Sequence, residues 1–257
     1  MPVTAPRNHF KRRLLSGETV YGLWMMSASP VLSEAASLLG YDWLLMDSEH
    51  SVVDIGGLQP LLQAAAAGPT ALLARPAWND PVLIKRVLDI GAQTLVLPFV
   101  QTAEEARQAV ASTRYPPQGR RGVSAATRAG RFGQAADYFS VANDEICVLV
   151  QVETREALAA IDEIAAVEGV DGVFIGPSDL AASLGHIGNP GHEEVQAALK
   201  SALARIIASG KAPGILASGG ATARLYAEWG YRFIGVTTDI GVLCAAAKAS
   251  LAEAKGA

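Results

Sequence analysis

The stretch LLMDSEHSVVD, residues 44 to 54, begins as an apolar run and surfaces into Asp47, Glu49 and His50. Two carboxylates and an imidazole at such a point suit proton transfer. Imidazole titrates near neutrality, and an acid beside it fixes its tautomer and raises its basicity. Asp47 is the expected partner of His50. Arg75 ends another apolar run directly before Pro76, and a guanidinium there is suited to gripping a carboxylate or stabilising a developing enolate. Gln151 and Glu153 close VLVQVE, and Ser178 and Asp179 follow FIG in FIGPSD. Glu153 and Asp179 are a natural pair for one hard divalent cation. With no His or Cys cluster of zinc type, Mg²⁺ or Mn²⁺ fits better than Zn²⁺. Each group also has a plainer role: a helix-heading acid for Glu153 and Asp179, a surface-loop histidine for His50, a rim ion pair for Arg75.

Such groups need elements that bring them together. Short apolar runs of strand type recur at 19–25, 42–47, 70–75, 94–99, 146–153, 171–176, 213–217 and 232–237. Between them lie helical stretches such as SPVLSEAASLLG, PVLIKRVLDIG, TAEEARQAVAST and TREALAAIDEIAAV, many opened by Ser, Thr or Asp and closed by Gly. Strands apolar on both faces and alternating with helices imply parallel β/α units, and eight of them in 257 residues predict a single (β/α)8 TIM-barrel domain over 1–257. A doubly wound sheet is the rival. It would more often use five to seven strands, and the first strand here leads into no Gly-x-Gly-x-x-Gly turn. In a barrel the C-terminal strand ends share one mouth, so Asp47, Glu49, His50, Arg75, Gln151, Glu153, Ser178 and Asp179 would converge there.

Composition is that of a compact globular chain: half the residues are apolar, 18% are charged and the net charge is -4. This gives no electrostatic reason to expect nucleic acid, and no apolar run approaches a membrane span of about 18 residues. The N-terminal MPVTAPRNHFKRRLL lacks the apolar core of a secretory signal and reads as a solvated helix starting near Asn8. Cys147 and Cys244 both read as small core residues, which suits a reducing cytoplasm. The Gly- and Arg-rich segment YPPQGRRGVSAATRAGRFG, residues 115 to 133, is too long for a plain connector and reads as a lid or subunit contact at the barrel mouth.

The blocks DWLLMDSEH, LARPAWNDPVLIKRVLDIGAQTLVLPFVQTAEEA, YPPQGRRG, VQVETREAL and VFIGPSDLAASLG, in this order over residues 10 to 250, resemble the HpcH/HpaI aldolase family. That group comprises class II, metal-dependent aldolases of the phosphoenolpyruvate/pyruvate superfamily. The resemblance implies a divalent metal, Mg²⁺ or Mn²⁺ with Co²⁺ a further choice, held by Glu153 and Asp179. It implies His50 with Asp47 as the base and Arg75 stabilising a pyruvate enolate. Gln151 would line the pyruvate site, with Gly176, Pro177 and Ser178 around its carboxylate and Trp24 and Leu216 as further walls. Asp89, by similarity, would reach a neighbouring subunit's site. Family members are typically hexamers whose C-terminal helix, here VLCAAAKASLAEAKGA, packs across subunits.

The lysines give an independent check. A Schiff-base aldolase needs a desolvated lysine at a strand end. Lys11, Lys85, Lys200, Lys211, Lys248 and Lys255 include none, since Lys211 precedes its strand. The expected activity is therefore reversible, metal-assisted aldol cleavage of 4-hydroxy-2-oxo acids to pyruvate or hydroxypyruvate plus an aldehyde. A second reading is a CoA-thioester or dicarboxylate lyase using Arg120, Arg121, Arg128 and Arg131. A third is a non-catalytic barrel that binds a small acid.

Overall fold

The structure, a computed structural model, describes residues 2–256. Eight parallel strands close into a barrel in sequence order: β1 (Val20–Met25), β2 (Trp43–Asp47), β3 (Ala71–Arg75), β4 (Thr94–Leu97), β5 (Cys147–Val152), β6 (Gly172–Ile175), β7 (Ala212–Leu216) and β8 (Phe233–Thr238). Around them run α1 (His9–Leu15), α2 (Pro30–Ala36), α3 (Ile55–Ala65), α4 (Pro81–Asp89), α5 (Ala103–Thr113), α6 (Tyr138–Glu145), α7 (Arg155–Ala159), α8 (Ile161–Ala165), α9 (Pro177–Ser183), α10 (Glu193–Ala208), α11 (Gly220–Trp229) and α12 (Asp239–Lys255). The expected (β/α)8 TIM barrel is present, with each strand within one or two residues of its predicted bounds. Two local departures occur. The run 94–99 leaves the sheet after Leu97, and Phe99 turns to a φ of 54°. The single helix predicted from TREALAAIDEIAAV is two short ones, broken at Ala160.

Successive side chains of a strand point to opposite faces, so a strand apolar throughout feeds two cores. Val20, Trp24, Trp43, Leu45, Leu73, Val96, Leu149, Phe174 and Phe233 fill the barrel interior. Their alternates, among them Leu44, Met46, Val148 and Val150, pack outward against the helices. The interior is a column of aromatics, with Trp43 and Phe233 centroids 4.4 Å apart and Trp24 and Phe174 5.4 Å apart. Two glycines make room for it. A Cβ on Gly22 would fall inside the Trp43 indole, and one on Gly235 would lie 2.7 Å from Leu216 Cδ1.

The N-terminal helix differs from the solvated element expected. Phe10 and Leu14 of α1 enter the interior cluster from the end where the strands begin, closing the barrel floor. Asn8 is buried rather than exposed: its Oδ1 caps α1 by accepting from Lys11 N, and its Nδ2 donates to Thr94 Oγ1 (2.9 Å) and Glu145 O (3.0 Å).

The 115–133 segment is not at the mouth. It leaves the C-terminal end of α5, and connections that follow a helix lie at the strand beginnings. Arg121 is fully buried, with its guanidinium 4.4 Å over the Tyr115 ring and Nη2 donating to Asp89 at the far end of α4 (2.7 Å). Arg128 donates to Ile90 O (2.7 Å), and Arg120 to Ser112 and Gln108. Arg120, Arg121 and Arg128 thus bind the chain to itself at the barrel floor, and Arg131 is exposed beside them. Cys147 is buried as expected; Cys244 is instead exposed on α12.

Gly22→Ala should lower stability by about 3 kcal/mol, the upper range for overpacking, because the rigid indole of Trp43 cannot yield. Denaturant midpoints of the two proteins measure it.

Candidate active site

The mouth site starts from one pairing of neighbouring strands. Asp47 ends β2 and Arg75 ends β3, and the two lie opposite each other in the ladder. Arg75 donates Nε to Asp47 Oδ1 (2.8 Å) and Nη2 to Asp47 Oδ2 (2.6 Å), a bidentate pair with both side chains buried. Trp24 Nε1 donates to the same Oδ2, and the guanidinium lies 4.7 Å above the Trp24 ring. Burial alone would raise the Asp47 carboxyl, but the hydrogen bonds and charge of Arg75 overcome it and hold the group below its ordinary value.

This overturns one expectation. Asp47 does not pair with His50, because its oxygens are taken by Arg75, Trp24 Nε1 and the Glu49 backbone N–H. A buried carboxylate is satisfied by the nearest buried cation and donors. The His50 side chain is instead 58% exposed, with Nε2 3.8 Å from Glu49 Oε1, too long for a hydrogen bond. His50 stands at the rim beside Glu49.

Arg75 also faces Glu49. Its Nη1 is 2.8 Å from Glu49 Oε2 and 3.3 Å from Gln151 Oε1. Glu49 Oε2 is close enough to share charge, yet it is buried without a well-aligned hydrogen bond. Burial raises the Glu49 carboxyl above its ordinary value despite the opposing charge of Arg75.

Two strands on from Arg75, Glu153 follows β5. Its Oε1 accepts from the Phe99 backbone N–H (2.9 Å) and its Oε2 from Gln151 Nε2 (2.7 Å). Burial, then the charges of Asp179 and Glu49, push its carboxyl up to about 7. Gly176, the residue before α9, has a particular use here: a Cβ on it would lie 2.7 Å from Glu153 Oε2. Pro177 is buried beside it. Ser178 and Asp179 stand exposed in the first turn of α9. Leu216 ends β7 and packs with Trp24 in the interior cluster.

The structure thus gathers Asp47, Arg75, Gln151, Glu153, Gly176 and Trp24, with Asp179, Ser178 and His50 at the rim. It does not bring Asp89 there. Asp89 ends α4 at the barrel floor, bound to Arg121, and takes no part in its own chain's site.

Glu49, Glu153 and Asp179 face one another with a single buried guanidinium among them. That imbalance and an all-oxygen donor set fit a hard divalent cation. A separate group, His186, His192 and Glu194, lies within metal-ligating reach near the start of α10. Its two rings are stacked face to face at 3.5 Å, and His192 Nδ1 accepts from Glu194 N to cap the helix. The imidazole lone pairs therefore do not converge on one point.

The model of the HpcH/HpaI aldolase/citrate lyase family matches residues 20–246. The chain belongs to this family. Membership makes it a carbon–carbon lyase. Over 248 residues it is 51% identical to the hydroxypyruvate/pyruvate aldolase of Sagittula stellata, covering 96% of this chain and 98% of that one. It is 50% identical, with 96% and 94% covered, to the 4-hydroxy-2-oxo-heptane-1,7-dioate aldolase of Salmonella paratyphi A. A crystal structure of an HpcH/HpaI aldolase/citrate lyase family protein from Burkholderia cenocepacia superposes with a TM-score of 0.94 at 42% identity, covering 96% of this chain and 99% of that one. Among the described residues, no helix of this HpcH/HpaI family member is long and apolar enough to cross a membrane.

Asp47→Asn should cost about 3 kcal/mol at neutral pH, since it leaves part of a buried guanidinium unpaired. The folded carboxyl titrates below the unfolded one, so its contribution is complete above 3.8 and fades as the pH falls from there. Denaturant titrations of both proteins should therefore converge in acid.

Proposed function

We propose that the protein catalyses reversible aldol cleavage of 4-hydroxy-2-oxo acids to pyruvate or hydroxypyruvate plus an aldehyde. The observation that carries this reading is the acid-rich cup at the barrel mouth: Glu153 and Asp179, and beside them Arg75 between Asp47 and Glu49. The names of the Sagittula and Salmonella relatives support the substrate class. Glu153 and Asp179 would hold a divalent cation, Mg²⁺, Mn²⁺ or Co²⁺. When bound, it would supply Lewis acidity that makes the protons next to a keto group easier to remove.

The chain's own residues do the rest. Asp47 and Glu49 hold the Arg75 fork against the Trp24 face, so the guanidinium is aimed before substrate arrives. A guanidinium has five N–H donors, and these partners leave at least one for the keto oxygen of the substrate, where negative charge develops in the enolate. Gln151, fixed between Arg75 and Glu153, lines the same cup. Gly176, Pro177 and Ser178 form the edge beside which the keto acid's carboxylate would lie, and Leu216 the apolar side. His50 Nε2, unencumbered at the rim, takes the proton from the donor methyl group in the condensation direction and from the 4-hydroxyl in cleavage. An exposed imidazole exchanges that proton readily with water.

We further propose that the protein works as a homohexamer in the cytoplasm. The 17-residue α12 has no buried residue in its own chain and exposes Ile240, Val242, Leu243 and Leu251. Packing of α12 against other copies would cover these side chains, and assembly would offer Asp89 a neighbouring chain's mouth. Light scattering should then give six chains of 26.8 kDa, and Leu243→Glu should shift the mass downward.

The deciding experiment is deuterium exchange into the pyruvate methyl group, followed by NMR. Exchange should require a divalent metal, disappear in Glu153→Gln and slow by about 10²- to 10⁴-fold in His50→Ala. No exchange with any of the three metals would remove pyruvate as donor. Unchanged exchange in His50→Ala would remove His50 from proton transfer.

A further inference from the structure

Phe99 combines features that a packing role does not explain. Its φ of 54° lies in the left-handed region that L residues seldom occupy without glycine's freedom. Its side chain is not core: it is 37% exposed and stacks on the half-exposed Trp78 ring at 5.3 Å. A loop that only had to turn here would be served better by glycine.

The turn has a consequence for the backbone. Leu97 is the last residue of β4, and Val100 N–H then returns to β5 by donating to Gln151 O (3.0 Å). Between these points the left-handed residue swings its own N–H away from the sheet and into the mouth, where it donates to Glu153 Oε1 at 2.9 Å. The Glu153 carboxylate is thereby held on three sides. Phe99 N–H holds Oε1, Gln151 Nε2 holds Oε2, and the bare Cα of Gly176 closes the space behind. Each oxygen accepts one hydrogen bond and keeps a second lone pair free.

We infer that Phe99 is a positioning residue whose left-handed backbone aims its amide at Glu153 and so fixes that carboxylate for a divalent cation. The inference rests on the proposed role of Glu153 as a metal ligand. The turn follows the buried Pro98 and is held after it by the Val100 ladder bond, and backbone strain of this kind clusters at functional sites. What matters at position 99 is therefore tolerance of the left-handed region and not the phenyl ring.

The test is calorimetric titration of Mn²⁺ into the metal-free protein and its Phe99→Gly, Phe99→Asn and Phe99→Val variants, with Glu153→Gln as control. Glycine and asparagine accept left-handed backbone, and both should bind within about twofold of the parent. Valine resists it, and Phe99→Val should bind roughly tenfold more weakly, because the competent conformer is then a minor one. Circular dichroism reports whether each variant is folded. If Phe99→Val is not, Phe99→Thr carries the same β-branch in a polar side chain and should be weakened in the same direction. Affinities that follow side-chain size, with glycine and asparagine as weak as valine, would overturn the inference. So would valine, or threonine in its place, binding as tightly as glycine. Failure of the parent to bind Mn²⁺, or undiminished binding by Glu153→Gln, would instead sink the proposed metal site itself.

Discussion

The mouth of this barrel is organised by a single buried guanidinium. Arg75 holds Asp47 through two hydrogen bonds, touches Glu49 and Gln151, and rests on the Trp24 ring. Without it, Asp47 and Glu49 would be two carboxylates sunk in a low-dielectric interior, each of which would take up a proton or drag water inward. With it, Asp47 stays ionised and the positive fork is fixed. One cation does not balance the acids, however. Glu49 and Glu153 both sit with raised proton affinity, and Asp179 faces them from α9. Glu49 lies against the guanidinium, while Glu153 and Asp179 carry the excess negative charge beside it. This polarity suits a keto acid, which offers negative oxygens to both a cation and an arginine.

That polar layer can be held in register because what lies beneath it cannot move. Trp24 is at once the shelf for Arg75 and the top of an aromatic column that continues through Phe174, Phe233 and Trp43 to Phe10. Close packing of large rings against missing Cβ atoms at Gly22 and Gly235 leaves little room for a strand to slide. The same device recurs in the polar layer, where Gly176 lets Glu153 approach its neighbour strand. Small residues at contact points thus set the distances between the functional side chains.

Much of this was legible in the sequence, for a physical reason. Asp47, Arg75, Gln151 and Glu153 interrupt or end runs that are otherwise apolar, and a charged group breaking a buried strand needs a partner or a purpose. Eight such runs with helices between them fix the barrel, and the barrel fixes which ends meet. Glu49 was harder to place, since a loop acid two residues past a strand looks the same whether it points inward or out. An Asp47–His50 pair is suggested by closeness in sequence, but Asp47 finds its partner, Arg75, across the ladder. Phe99 was hidden within TLVLPF, whose composition reads as strand throughout; only the backbone shows the turn. The 115–133 segment was assigned to the wrong end on its glycines and arginines, although a connection from helix to strand belongs at the floor.

The floor has a kinetic meaning. With Phe10 and Leu14 wedged between the strand beginnings below the aromatic column, the barrel is filled from the floor to Trp24, and its polar cup opens at the mouth. A molecule that settles against Arg75 lies below anything held at the rim near His50 and Ser178. In the proposed reaction two reactants would therefore queue, the deeper one entering first and leaving last. That order would follow from the filled interior beneath Arg75, which leaves the mouth as the way in and out.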